Sequence, residues 1–247
     1  MYSPDDGPDF AATNLTGHPL AEALRQSQSI ETYVPGIPGT VGDLTEHEFR
    51  RIRAISWGMI SEVDAQIGRL ANAVGDSTLF VLTSDHGEMM GDHRMLGKGG
   101  FFPESYHIPL IARGPDVTPG RRVEAFTSAT DIFPTLLGTM DVAPLQTAHG
   151  RSLRPYLEGR TPKDWRRAVL WEFDFRTLLG TILALSRDLP ATEAHLIARH
   201  SASGTYVHSP AMPSLTLGEA KDDPGQLLSD IMRMFDETLA AKPVWEH

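Results

Sequence analysis

Asp85 and His86 stand side by side in the string SDHGE, directly after the apolar run TLFVLT. A carboxylate and an imidazole are both unprotonated near neutral pH, and an oxygen–nitrogen donor pair suits zinc, manganese or a harder divalent ion. Two adjacent side chains reach one cation only where the backbone turns sharply, and Gly87 permits such a turn. An Asp-His pair in a loop also serves elsewhere as a helix cap with a surface histidine, an alternative that residue types alone leave open. Thirteen residues beyond Asp85, Lys98 lies between Gly97 and the Gly99-Gly100 pair. Flanking glycines let backbone and ammonium approach an anion closely, so Lys98 is a candidate oxyanion contact rather than a solvated surface charge. His93, in the string GDH, is a further candidate substrate contact, with loop packing as its other reading. Glu88 could orient His86 through a hydrogen bond or lie free on a turn.

Such residues need a frame. The runs at 78–83 and 108–112 are short, apolar and without alternation, as expected of strands covered on both faces in a parallel sheet. The candidate residues occupy the long loop between them, at the carboxyl end of the first strand, the edge where α/β sheets place ligands. Thr45 and Glu48 form a capping box that opens a long helix, whose apolar stripe runs through Phe49, Ile52, Ser56, Ile60, Val63, Ile67, Leu70 and Val74 to a stop at Gly75. Further expectations are a strand over 122–126, a helix over 132–140 capped by Thr130-Asp131, and a short helix over 151–157. Strands over 169–173 and 206–208 and an amphipathic helix over 226–240 follow. Residues 1–43, rich in Pro, Gly, Asp, Ser and Thr, predict an irregular surface segment with one helical turn at Leu20–Ala23. Three regions result: 1–43 irregular, 44–160 the core, and 161–247 its closing strands and helix or a small appended subdomain.

The chain has 247 residues, a net charge of −10 and no Cys. An acidic balance argues against a polyanion-binding surface, so nucleic acid is not expected as a partner. Without Cys there is no disulfide framework, thiolate metal site or thiol nucleophile. The amino terminus lacks an apolar signal region and no apolar run approaches the roughly 20 residues that span a bilayer. The expectation is a cytoplasmic protein without a membrane partner.

The segment from Thr83 to Asp116, preceded by WGMISEVDAQIGRL and followed by SATDIFPTLLGTM, resembles the carboxyl half of the sulfatase core in the alkaline phosphatase superfamily. It is most similar to the phosphonate monoester hydrolase and arylsulfatase branch, which also carries segments like WEFDFR at 171–176 and the late YVH and DDPG stretches at Tyr206 and Asp222. The resemblance covers about residues 50 to 230 and implies an α/β fold, a partial alkaline-phosphatase-like sandwich with a mostly parallel sheet flanked by helices and its amino-terminal strands missing. It implies Asp85 and His86 as ligands of one divalent metal ion, with Ca, Mn and Zn not distinguished. It implies Lys98 as the contact to the nonbridging oxygens of a small anionic ester. Asp131, in the similar DIFPTL segment, is expected to cap its helix rather than bind metal.

Sulfatases of this kind attack with a formylglycine made from Cys or Ser in a C/S-x-P-x-R motif, and the sequence contains no such string. Val117-Thr118-Pro119-Gly120-Arg121 has the Pro and Arg spacing but a valine in the nucleophile's place. Two metal donors of a usual four or more are in view, and the apolar helix stripe is expected to stay partly uncovered. The expected function is therefore hydrolysis of sulfate, phosphonate or phosphate esters, with a separate amino-terminal half or a homo-oligomer completing the site. The alternatives are a noncatalytic remnant or assembly partner of an intact relative, and an unrelated two-metal phosphodiesterase-like hydrolase.

Overall fold

The computed structural model describes residues 2–11, 25–26, 28–99, 101–143, 149–174, 195–209, 212–217, 229 and 232. Its longest element begins where Thr45 and Glu48 satisfy each other's backbone: Thr45 Oγ1 accepts the Glu48 amide at 3.3 Å, and Glu48 Oε2 accepts the Thr45 amide at 2.7 Å. Helix α1 then runs Glu46–Val74, and Gly75 at φ 70° ends it in a conformation that costs a glycine little. The stripe anticipated along α1 is buried at Phe49 and Ser56 but exposed at Ile60, Val63 and Leu70.

Strands β1 (Phe80–Thr83) and β2 (Leu110–Arg113) are hydrogen-bonded neighbours, as the two apolar runs predict, each displaced slightly from its expected bounds. Neither is buried on both faces: Phe80, Val81 and Leu82 are half-buried and Ile111 is exposed. The intervening loop is far from structureless. It holds a 3₁₀ turn at Asp92–Arg94 and helix α2 (Pro103–Tyr106), and it buries Met89, Met95, Leu96, Phe101 and Phe102.

Residues 28–43, expected on the surface, turn inward instead. Two 3₁₀ turns, Ile30–Thr32 and Val41–Asp43, are joined by a Ser29–Thr40 bridge. They deliver Ile30 and Val41 to a cluster with Leu44, Phe49 and Leu96, flanked by Phe10, Tyr33, Val34 and Ile52. Burying these apolar groups offsets the ordering cost of an otherwise irregular segment. The turn expected at Leu20–Ala23 lies outside the described residues.

Beyond β2 the expected strand over 122–126 does not form. Arg122 and Glu124 pair with each other at 2.6 Å, both largely in solvent, and this stretch joins neither sheet. The next helix, α3 (Ile132–Thr139), starts at the anticipated residue with Asp131 at its N-cap position, and a 3₁₀ turn (Ala129–Asp131) capped by Ser128 leads into it. Helix α4 is Arg154–Leu157. Among the described residues a second sheet has the order β3 (Ala168–Asp174), β4 (His195–Ser201), β5 (Gly204–Ser209) and β6 (Met212–Leu217). β4 and β5 form an antiparallel hairpin in which Ser201 pairs with Gly204 and Ile197 with His208. β3 and β5 contain the expected runs at 169–173 and 206–208. The helix expected over 226–240 lies outside the described residues except for Ser229 and Met232, both helical. Two compact units result, one of residues 1–111, 173–196 and 209–212 and another of 112–172, 197–208 and 213–247. The candidate site belongs to the first.

Candidate metal and anion site

Leaving β1, the chain folds tightly on itself. Ser84 Oγ donates to the His86 carbonyl at 2.8 Å, and the His86 amide donates to Asp85 Oδ1 at 3.1 Å. Gly87 is required here for closeness rather than for a positive φ. Its amide donates to the Ser105 carbonyl at 2.8 Å, and a Cβ at this position would overlap the carbonyl oxygen of Glu104. α2 thus backs directly against the residue that follows His86.

The His86 ring is oriented by its own neighbour. Nδ1 lies 2.8 Å from the Gly87 carbonyl oxygen, which only accepts, so Nδ1 carries the proton and Nε2 of the neutral ring presents a lone pair. Nε2 faces Asp85 Oδ2 at 3.6 Å, too far for a hydrogen bond. Two metal bonds of about 2.1 Å each are long enough to span that gap, so one cation fits between the two donors. The Asp85 carboxyl is mostly in solvent. Its own backbone amide does most to hold it below the usual carboxylate range, against the opposing cost of desolvation, and the His86 charge, the His86 amide and the Lys98 charge add to the lowering. Asp85 is therefore ionised at neutral pH, the state a ligand needs. Among the described residues no group of three or more His, Asp or Glu side chains is arranged around one point.

Lys98 is exposed, and its charge is felt at Asp85 across the loop. The backbone before it is fixed at several points. Glu88 Oε1 accepts the Gly97 amide, and the Met89 amide donates to the Gly97 carbonyl at 2.9 Å. Gly97 holds φ 74°, and a Cβ there would overlap the Tyr33 hydroxyl, which itself donates to the Leu96 carbonyl at 3.4 Å. Glu88, readable as a partner of His86 or as a free turn carboxylate, fixes the loop that presents Lys98. Sequence spacing carries no signal for that role, because a carboxylate–amide bond nine residues apart depends on how the loop closes.

His93 points elsewhere. Nε2 lies 3.3 Å from Glu104 Oε2 and its ring stacks on Phe102 with centroids 3.9 Å apart. The Glu104 carboxyl is pushed up by burial, but the bond from His93, its own backbone amide and the His93 charge outweigh this and leave it below the usual range. Asp131 is fully buried: Arg166 donates to both of its oxygens at 2.6 Å, and the Ser128 and Arg151 amides each donate at 2.8 Å. It is saturated as a structural cap.

Arg53, absent from the sequence-based site, is the cation that holds the loop's other flank to α1. It is buried, donates to the Pro8 and Met90 carbonyls at 3.1 Å each, lies 3.0 Å from Asp92 Oδ2 and sits 3.9 Å above the Phe10 ring.

With this geometry in view, comparison with known proteins is informative. The Sulfatase family profile matches residues 9–142, more than half of the chain. The chain belongs to the Sulfatase family. It is 34% identical over 226 residues to the multifunctional alkaline phosphatase superfamily protein PehA of Trinickia caryophylli, covering 89% of this chain and 43% of that protein. Against arylsulfatase K of Gallus gallus it is 35% identical over 144 residues, 56% of this chain and 27% of that one. The crystal structure of the phosphonate monoester hydrolase of Agrobacterium radiobacter superposes with a TM-score of 0.80 at 38% identity, over 97% of this chain and 52% of that chain. The α/β fold is thus that of a sulfatase-family core, and the chain spans about half the length, or less, of these relatives. No helix among the described residues is long and apolar enough to cross a membrane.

Proposed function

We propose that this chain supplies one side of the active site of a sulfatase-family hydrolase acting on sulfate, phosphonate or phosphate esters. The observation that carries the reading is the Asp85–His86 donor pair, poised to share one cation, within electrostatic reach of Lys98. Asp85 and His86 would hold a divalent ion, whose chemistry there is to polarise the ester group and neutralise its negative charge. Asp85 contributes a carboxylate kept ionised by its surroundings, and His86 contributes Nε2 because Gly87 occupies the other nitrogen. Lys98 binds the nonbridging oxygens and stabilises the charge that grows on them as the ester bond breaks. His93, through Glu104, supports the α2 backbone behind Gly87, which fits a positioning residue better than a substrate contact. Remaining donors and a nucleophile come from polypeptide outside this sequence, since two donors hold a metal weakly and no C/S-x-P-x-R string is present.

The test is to measure divalent metal uptake and the cleavage of an aryl sulfate and a phosphonate monoester with Mn, Ca or Zn. This chain is assayed alone and together with a polypeptide covering the rest of a relative's fold. The chain alone should turn over neither ester. The pair should gain metal binding and turnover together, and Asp85→Ala should lose both while the two polypeptides stay associated. Robust turnover by the chain alone, or activity indifferent to Asp85, would overturn the reading. The exposed stripe on α1 favours a second reading, a noncatalytic assembly partner, which predicts association without turnover.

A further inference from the structure

The loop between the Asp85–His86 turn and Lys98 is held in a shape that its own residues disfavour. Met90, Gly91, His93 and Arg94 take φ values of 46°, 98°, 55° and 55°, four left-handed residues in five, of which one is a glycine. Residues with a Cβ keep such conformations only where their surroundings fix them. Inside the loop the fixing is a short ladder: the Met89 amide donates to the Gly97 carbonyl at 2.9 Å and the Gly91 amide to the Met95 carbonyl at 2.8 Å. Met90 stands between the two rungs, and α1 takes its carbonyl: Arg53 Nε donates to it at 3.1 Å. The same buried guanidinium donates from Nη1 to the Pro8 carbonyl at 3.1 Å and lies under the Phe10 ring at 3.9 Å. Its Nη2 makes no hydrogen bond and is compensated by the Asp92 carboxylate, 3.0 Å away.

We infer that Arg53 is a positioning residue for Lys98: by holding the Met90 carbonyl and Asp92 to α1, it keeps the 89–97 ladder closed and so fixes where Lys98 leaves the loop. This deepens the proposed metal and anion site and rests on that reading. The two flanks of the site are built separately. The Asp85–His86 turn is closed by Ser84 on the His86 carbonyl, by the His86 amide on Asp85 and by the Gly87 amide on the Ser105 carbonyl, and none of these bonds involves Arg53. The Lys98 flank hangs on the ladder, together with the Glu88 carboxylate that accepts the Gly97 amide, and the ladder is tied to the long helix at Met90 and Asp92. Loss of the Arg53 fork therefore frees the anion flank and spares the metal flank. Positive charge alone does not replace it: three nitrogens meet Met90, Pro8 and Asp92 from one plane, whereas a lysine ammonium is a single point charge without an Nε–H.

The deciding measurement is amide hydrogen exchange in the full 247-residue chain, Arg53→Lys against the unaltered protein, which needs neither metal nor ester. Exchange at Met89, Gly91 and Gly97 should quicken roughly tenfold or more, while the amides of 60–70 in α1 and of β1 exchange as before. In the two-polypeptide assay proposed above, the same variant should lower kcat/KM for an aryl sulfate roughly tenfold and leave metal affinity unaltered. A general loss of folding would lower both together. Asp92→Asn keeps an acceptor for the Ala11 amide and removes only the ion pair, so it should show the same pattern at smaller amplitude. It decides the matter if Arg53→Lys does not fold. Unchanged exchange at Met89 and Gly97 overturns the inference, and so does quickening that spreads equally through α1 and β1. A loss of metal affinity as large as the loss of turnover overturns it as well. If the unaltered pair neither takes up metal nor cleaves ester while Arg53→Lys still frees those amides, the hydrolase reading fails and the dependence of the loop on Arg53 stands.

Discussion

Gly87 shows how little space the candidate site leaves. Its missing Cβ is what lets the Glu104 carbonyl pack behind His86, and backbone cannot yield as a side-chain tip can. Gly87→Ala should cost about 1–3 kcal/mol, the usual range for overpacking, and should weaken metal uptake by the assembled protein because His86 moves with the turn. Urea denaturation and metal titration of the same variant check both halves of that statement. Asp131 gives the contrasting case. Asp131→Ala leaves the Arg166 guanidinium without its carboxylate and two amides unbonded, at about 3–5 kcal/mol, with a lowered unfolding midpoint as the measurement. Its effect on metal affinity should be nil once the protein is folded. Asp85, His86 and Lys98 stand out in the sequence because ligand chemistry resides in residue type and short spacing, and their metal and anion roles are the proposed ones. The roles of Glu88 and Arg53 are not legible there, because they depend on which distant backbone groups the loop brings to them.

Local signals located the elements best where both partners of a contact lie within one turn. Thr45 and Glu48 are such a pair, and α1 starts where they predict; Thr45→Ala should cost about 1 kcal/mol, read from the unfolding midpoint. Ser128 and Asp131 are another: Asp131 stands before α3 as the sequence predicts, and the 3₁₀ turn that Ser128 caps in front of it has no repeat long enough to be read. The stretch at 122–126 reads as a strand by composition, but a strand exists only by pairing, and these residues find no neighbour in either sheet. α2 was not anticipated, being only four residues long, although it carries Glu104, a partly buried carboxylate of the site region. Glu104 is ionised more readily in the folded than in the unfolded chain, so its contribution is present above the ordinary carboxylate range near pH 4 and is lost as pH falls through its lower folded value. Glu104→Gln should therefore be less stable than the unaltered protein at pH 6 and should lose less stability between pH 6 and pH 3, as followed by denaturation midpoints.

At the scale of the molecule, the acidic balance, the absence of Cys and the α/β class were all open to composition and pattern, and family membership agrees with the class. The inward path of residues 28–43 was not, because Pro- and Gly-rich composition says that a segment lacks repeating structure and nothing about whether it is buried. The same holds more sharply for residues 8–11. Pro8 accepts from Arg53, Asp9 pairs with Arg50 at 3.0 Å, Phe10 lies edge-on to Phe49 and fills the space beside Gly91, and Ala11 exchanges hydrogen bonds with Asp92 and His93. Four residues of no recognisable motif thus strap the far side of the candidate loop to α1. Removing residues 1–11 would strip Arg53 of a carbonyl and its aromatic lid, and should open the 90–96 stretch to proteolysis at a rate the intact chain does not show. A segment of this kind acts as a splint: it carries none of the candidate residues, and their alignment loosens when it is cut away.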